Sequence, residues 1–307
     1  MGWKNTLNEV LRNHYKMSAQ GGKAVSYATQ ASRREVLEKG FSDLRKLSYK
    51  LENVKGFKER HIMALAKFWE EKKLSASTIQ NRISIFRIFS EWIGKAGMIK
   101  ASEVYVKNIE NIKRHYVAQT DKTWSGKNIS LEDKLNQIQA LDRYVALQLE
   151  LQRAFGLRMK EAALLKPHMA DKQNYLAVNW GTKGGRPRCV QIQTDYQQDV
   201  LARAKSILTS QHSSMVPNNY TAKQWKDHYY YICRQVGIDR KHGITSHGLR
   251  HERLNEIYAE ITGNSSPIKQ TDSNISIDND LDKIASQEIA ETAGHSRASI
   301  SSAYVGK

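Results

Sequence analysis

Cysteine is scarce in this chain: two residues in 307, Cys189 and Cys233, with no spacing that would suit a metal. One distant pair excludes a disulfide scaffold and fits buried thiols in a reducing compartment. Long apolar runs are missing too, so no segment is suited to crossing a membrane. The start, Met1-Gly2-Trp3-Lys4-Asn5, lacks the apolar core of a signal peptide. The ten histidines show neither His-x-His nor His-Glu-x-x-His spacing, and no acidic cluster suits two-metal chemistry. A Walker-type phosphate loop is absent as well. These absences argue against metal-dependent and ATP-driven chemistry. The expectation is a cytoplasmic protein with no metal and no cofactor.

What the chain does have is positive charge. Its formal net charge is +17. Residues 1–120 hold 23 Lys and Arg against 11 Asp and Glu, which is +12 of that excess. A basic surplus gathered in one segment points to a polyanion, most commonly nucleic acid. The competing reading is a solvated, lysine-rich helical surface.

At this length two domains are expected. The first hundred residues read as helices. From Ser32 to Leu51, Val36, Leu37, Leu44, Leu47 and Leu51 recur at helical steps. Lys58 to Glu71 follows, with Ile62, Leu65, Ala66 and Trp69 on one stripe. A third helix is predicted from an N-cap at Ser77 through Ile79, Ile83, Phe86 and Ile93, closing at Gly94 and Gly97. Its exposed start offers Ser77, Thr78, Asn81 and Arg82 to phosphate or base edges, or simply to solvent.

Residues 115–129 lose all apolar period and read as a flexible linker between a helical domain at 1–114 and a second domain at 130–307. Ser130, with Asp133 completing a capping box, should open a helix running through Leu149. The clear β signal is Asn174 to Gln193, where Leu176, Val178 and Trp180 alternate, then Val190 and Ile192, around the turn Gly181-Thr182-Lys183-Gly184-Gly185. Fold class is therefore mainly α with a small β-sheet. One stretch stands apart: residues 256–292 hold eight acids against two lysines. Within it, Thr262 to Asp282 reads as an inserted, partly disordered loop turned away from an anionic partner.

The chemistry concentrates in a few motifs. Gly156-Leu157-Arg158 and His247-Gly248-Leu249-Arg250 each supply an arginine behind a glycine. Gly294-His295-Ser296 is followed by Tyr304, nine residues after the histidine. Two guanidinium forks can grip both non-bridging oxygens of a phosphate. Imidazoles move protons near neutrality, and a phenol can attack phosphorus once a base or a cationic pocket favours its anion. Tyr304 is one of 14 tyrosines and Arg158 has Glu161 one turn away, so packing and a surface ion pair are the bland alternatives.

In these motifs the chain resembles the tyrosine recombinase (phage integrase) family. That family's pattern runs Gly-Leu-Arg-x-x-Glu, a hairpin lysine, His-x-Leu-Arg-His, Gly-His-Ser, then tyrosine nine residues on. Here those are Gly156 to Glu161, Lys183, His247 to His251, Gly294-His295-Ser296 and Tyr304, in the right order. The interval of 45 residues between Arg250 and His295 is longer than usual. The resemblance implies a helical core-binding domain followed by an α/β catalytic domain. It implies a site-specific DNA recombinase or integrase that cuts and rejoins duplex DNA through a 3′-phosphotyrosyl bond and a Holliday junction, serving a mobile element.

Carried over residue by residue, Tyr304 becomes the nucleophile and Arg158 and Arg250 the phosphate clamp. His247 is the proton acceptor or a phosphate donor, His295 a donor to a non-bridging oxygen, and Lys183 the general acid. His251 is structural, Arg186 a weaker alternative acid, and Arg186 and Arg188 DNA contacts. Partners implied are a double-stranded attachment site, further copies in a tetramer and accessory DNA-bending proteins, with the protein associated with the nucleoid. A type IB topoisomerase or telomere resolvase would use similar residues, and a DNA-binding protein that has lost catalysis is the alternative outside enzymology.

Overall fold

The computed structural model describes residues 2–14, 16–17, 24–270 and 277–306. The chain divides into two compact units, Met1–His115 and Tyr116–Lys307.

The first unit is built on α1 (Trp3–His14), α2 (Tyr27–Lys46), α3 (Glu59–Glu71) and α4 (Ala76–Trp92). The apolar stripes converge as expected: Leu37, Leu44, Ile62, Leu65, Trp69, Ile79, Ile83 and Phe86 share one buried core with Leu7, Val10 and Leu11 of α1. Boundaries move where local caps outweigh periodicity. Ser26 rather than Ser32 starts α2, its hydroxyl accepting the Thr29 N–H. The helix stops before Ser48, which takes a left-handed φ of 66°. Ser75, not Ser77, caps α4 by accepting from Thr78 N–H. Of the four expected contact residues, Ser77 and Asn81 are exposed and Thr78 half-buried. Arg82 lies over the Trp69 ring at 5.1 Å.

The second unit is layered around α6 (Arg143–Phe155), which is buried along nearly its whole length. The single helix expected from Ser130 is two. Asp142 breaks it with an extended backbone (φ −159°, ψ 108°), and its carboxylate accepts from Tyr144 and Val145 N–H. So α5 (Leu131–Leu141) ends and α6 begins at one capping side chain. Against α6 pack α7 (Met159–Leu164), α9 (Asp195–Ser206) and α11 (Ser246–Thr262); α8 (Pro167–Ala170), α10 (Ala222–Gln235), α12 (Asn279–Thr292) and α13 (Ser302–Val305) complete the helices.

Strands β1 (Tyr175–Val178) and β2 (Arg188–Gln191) pair antiparallel, Tyr175 opposite Gln191 and Val178 opposite Arg188. Trp180 and Ile192 fall just outside this ladder.

Two loop expectations change. The end of the supposed linker is packed: Trp124 is buried and its indole N–H donates to Thr245 O at 2.9 Å. The expected inserted loop, Thr262 to Asp282, starts on the last residue of α11, and its final residues 279–282 are the first turn of α12, capped by Asp278. Its front, residues 263–270, folds back on the unit, with Ser266 buried. Its middle, residues 271–276, lies outside the described residues.

Gly40 on α2 shows how tightly the first core is closed. A Cβ there would sit 2.4 Å from the Phe86 ring. Glycine to alanine inside a helix normally stabilises by up to about 1 kcal/mol. Here the sign should reverse: Gly40→Ala is expected to cost about 1–3 kcal/mol through overpacking, read as a lower denaturant midpoint.

Candidate active site

Arg158 and His295 are each aimed by a helix end. Gly156 closes α6 in the left-handed conformation (φ 61°), which drops Leu157 into the core and places Arg158 at the head of α7. On α11, Gly248 lets another segment approach closely: a Cβ there would lie 2.5 Å from Lys122 O and 2.8 Å from the Trp124 ring. Gly294, with φ 68°, ends α12 and turns His295 back toward α7.

These turns gather charge around one carboxylate. Glu161 is fully buried. Its Oε1 accepts from Arg158 Nη1 at 2.6 Å and Arg188 Nη1 at 2.9 Å; its Oε2 accepts from Arg188 Nη2 at 2.7 Å and the Arg158 N–H at 2.8 Å. Arg250 Nη1 stands 3.9 Å away. Burial alone would raise the pKa of Glu161, but the bonds and charges of Arg188 and then Arg158 outweigh it and hold the group at about 2. The ion pair expected as the bland reading of Arg158 is thus real, and it orients that side chain. Arg158 Nη2 reaches Ala293 O at 2.9 Å and His295 Nε2 at 3.3 Å. Arg188, expected among the DNA contacts, has its guanidinium turned inward on Glu161 and on Thr292 O at 2.7 Å.

Arg250 is fully buried. It donates to Gly156 O at 2.5 Å and Ala293 O at 2.6 Å, so both motif arginines share the Ala293 carbonyl. Its remaining edge faces the Tyr304 hydroxyl, 3.4 Å from Nε and 3.3 Å from Nη2. That hydroxyl also lies 3.5 Å from His295 Nε2. Arginine can only donate, so the phenol oxygen accepts from Arg250. By the same logic His295 Nε2 accepts from Arg158, which puts the ring proton on Nδ1; the phenol faces that same single lone pair, so Nε2 takes the phenol's proton only as Arg158 releases it.

His247 and His251 stack edge-on, 5.1 Å between ring centres. His251 packs on the Tyr304 ring at 5.0 Å, while His247 stays 6.5 Å from it. The hydrogen bond at the phenol is made by His295, while His247, expected either as the phenol's acceptor or as a phosphate donor, makes none there. His247 opens instead on a cavity of about 910 Å³ whose lining includes Lys122, Arg158, Lys160, Arg234 and Arg240. Lys183 and Arg186 are exposed on the β1–β2 connection, and the charge of Lys183 reaches His295.

Among the described residues no group of three or more His, Cys, Asp or Glu is disposed to hold a metal, and no helix is long and apolar enough to cross a membrane.

Comparison with known proteins identifies the family and the fold. The family model described as "Integrase" matches residues 112–256, and that described as "Phage integrase, N-terminal" matches residues 9–99. The chain belongs to the tyrosine recombinase (phage integrase) family of site-specific recombinases. No curated protein matches it. Among solved structures it is similar to a lambda integrase dimer bound to a COC′ core site, with TM-score 0.59 and 15% identity over 97% of this chain and 76% of that one. The Tn1549 transposon integrase in complex with transposon right end DNA gives TM-score 0.59 and 13% identity over 100% and 95%. A lambda integrase tetramer bound to a Holliday junction gives 0.57 and 14% over 95% and 78%.

In this recombinase the electrostatics keep the imidazoles neutral. The enclosing cleft walls, then Arg250, Arg158 and Lys122, lower His247 to about 4, although its ring is open to the cleft. Burial, then Arg158 and Arg250, does the same to His295. Burial and the neighbouring His247 bring His251 to about 3. The motifs did not reveal the basic cleft lining of Lys122, Lys160, Arg234 and Arg240. Those residues are scattered in sequence, and only the fold assembles them.

A pH dependence follows. His247, His251 and His295, with His61 of the first unit at about 4, bind no proton in the folded chain until far below the unfolded value near 6.5. The unfolded chain binds more protons in that window, so stability should fall as pH is lowered from about 6.5 toward 4. Glu161 adds a loss only further down, from about 4.5 to 2. Thermal melting across this range should show the decline, and His251→Gln should flatten it.

Proposed function

We propose that this recombinase cleaves one DNA strand at a time with Tyr304 as its nucleophile, and that it serves integration or excision of a mobile element. The observation that carries this reading is the meeting of Arg250 and His295 at the Tyr304 hydroxyl, with Arg158 bonded to that same His295. The phenol oxygen attacks the scissile phosphorus, and its proton passes to His295, whose Nε2 is the nearest acceptor. The phosphorus–5′-oxygen bond breaks. Lys183 protonates the departing 5′-oxygen, leaving a 3′-phosphotyrosyl bond that a second 5′-hydroxyl reverses. Arg158, Arg250 and the neutral His247 bear on the non-bridging oxygens, where charge develops. The ester keeps the energy of the cut bond, so rejoining calls for neither metal nor nucleotide.

A duplex attachment site is the partner the basic surplus supports. Lambda integrase, of similar fold, is seen as a tetramer on a Holliday junction, and we infer that four copies of this chain exchange strands in the same way. The full set of six motif residues weighs against a DNA-binding protein without catalysis. The exposed hydroxyls and amide of Ser77 and Asn81, with Thr78, are proposed to contact the duplex, as is Arg186.

Nicked duplexes tiling the DNA that flanks the coding region, incubated with EDTA, should trap a denaturation-resistant protein–DNA adduct. Tyr304→Phe should abolish it, and Arg250→Ala should slow its formation by about 10²–10³. An adduct that survives in Tyr304→Phe would refute the nucleophile assignment.

The basic helices make a separate prediction. Replacing the exposed Lys39, Lys67 and Lys73 should weaken binding to all duplex sequences alike. The slope of log K against log salt should flatten by about 0.9 for each DNA phosphate that is no longer neutralised.

A further inference from the structure

The segment after α11, to which the mechanism above gives no role, reaches back to the nucleophile. Ser266 is buried, and its hydroxyl donates to Asn255 Oδ1. Asn255 in turn donates to the carbonyls of His251 at 2.7 Å and Tyr304 at 3.3 Å. The Ile268 N–H donates to Val305 O at 2.7 Å. Its side chain closes on Gly306, where a Cβ would lie 2.9 Å from Ile268 Cβ. Lys269 Nζ bonds Ser125 Oγ at 2.9 Å and Glu252 Oε1 at 3.1 Å. Glu252 also accepts the Ser125 N–H at 3.0 Å and hydroxyl at 2.6 Å. The Ala118 N–H donates to Ser302 O at 2.9 Å.

The helix carrying Tyr304 has four residues, too few to hold its own geometry. A displacement of about 1 Å at a reacting atom can cost on the order of 10² in rate. We propose that Ser266, Ile268 and Lys269 form a strap that positions Tyr304, and that Glu252 and Ser125 latch the strap to the stretch entering the catalytic unit. These are positioning residues: they act through the backbone of residues 304–306 and through Asn255, and none of their side chains meets the phenol. The proposal rests on Tyr304 as nucleophile.

Two readouts in the full chain test it. With 3-fluorotyrosine at position 304, 19F NMR reports the setting of the ring without DNA. Single-turnover adduct formation at saturating nicked duplex, measured beside DNA affinity, reports the catalytic consequence. Ser266→Ala combined with Lys269→Met is expected to add a second 19F resonance and to slow adduct formation about tenfold. That is the scale of one missing hydrogen bond to a charged group, and affinity should be unchanged. Restoring charge and donors in Ser266 with Lys269→Arg should return the wild-type spectrum.

An unchanged spectrum and rate in the double variant overturns the strap. So does an equal fractional loss of affinity and rate, the mark of a merely structural role. If the double variant does not fold, Ser266→Ala and Lys269→Met are read singly by the same criteria. If the wild-type protein forms no adduct on any duplex, the nucleophile reading fails, and the 19F comparison alone still decides the strap.

Discussion

A single buried carboxylate holds the active site in order. Glu161 gives up water entirely, a cost that would be prohibitive for an unpaired anion, and it is offset by two direct guanidinium partners with a third close by. The arrangement has a directional effect beyond neutralisation. Each arginine commits part of its donor fork to Glu161 or to a backbone carbonyl, so the nitrogens left over point to one place. The proposed phosphate clamp needs cations that are already fixed when the ligand arrives, and the internal anion fixes Arg158. Burial, and after it the same crowd of positive charge, keeps the neighbouring imidazoles unprotonated.

The histidines divide their labour by depth. His251 is buried between His247 and the Tyr304 ring and acts as a spacer. His247 faces the basic cleft. His295 sits between Arg158 and the phenol, and its hydrogen-bonding state follows from arginine's inability to accept. A motif assigns residue types to a site, whereas the direction in which each ring nitrogen points is set by three-dimensional neighbours.

That distinction describes what the sequence could disclose. The core of the first unit was legible because Leu37, Ile62, Trp69, Ile83 and Phe86 obey a helical period that burial enforces. The gathering of Arg158, Arg250, His295 and Tyr304 was legible because their motifs set both residue type and spacing. Helix ends were less so: Ser75 and Ser77 are equally good caps on paper, and only one hydroxyl meets Thr78 N–H. Asp142 split a stripe that looked continuous, since its carboxylate serves the following backbone better than a further helical turn would. Trp124 was hidden in a polar stretch because its partner, the Thr245 carbonyl, is distant in sequence. The inward turn of Arg188 could not be read either, for the i, i+3 pair of Arg158 and Glu161 gave no hint of a third participant from a strand.

The carbonyl of Ala293 has a consequence of its own. Both motif guanidiniums anchor to this one backbone oxygen, just past the end of α12. No side-chain replacement can delete it, so the identity of residue 293 answers to packing while its oxygen stays indispensable. What can move the oxygen is the length and seating of α12. Insertions or deletions ahead of that helix therefore act as a mechanical lever on the two arginines together, leaving every side chain of the candidate site unchanged.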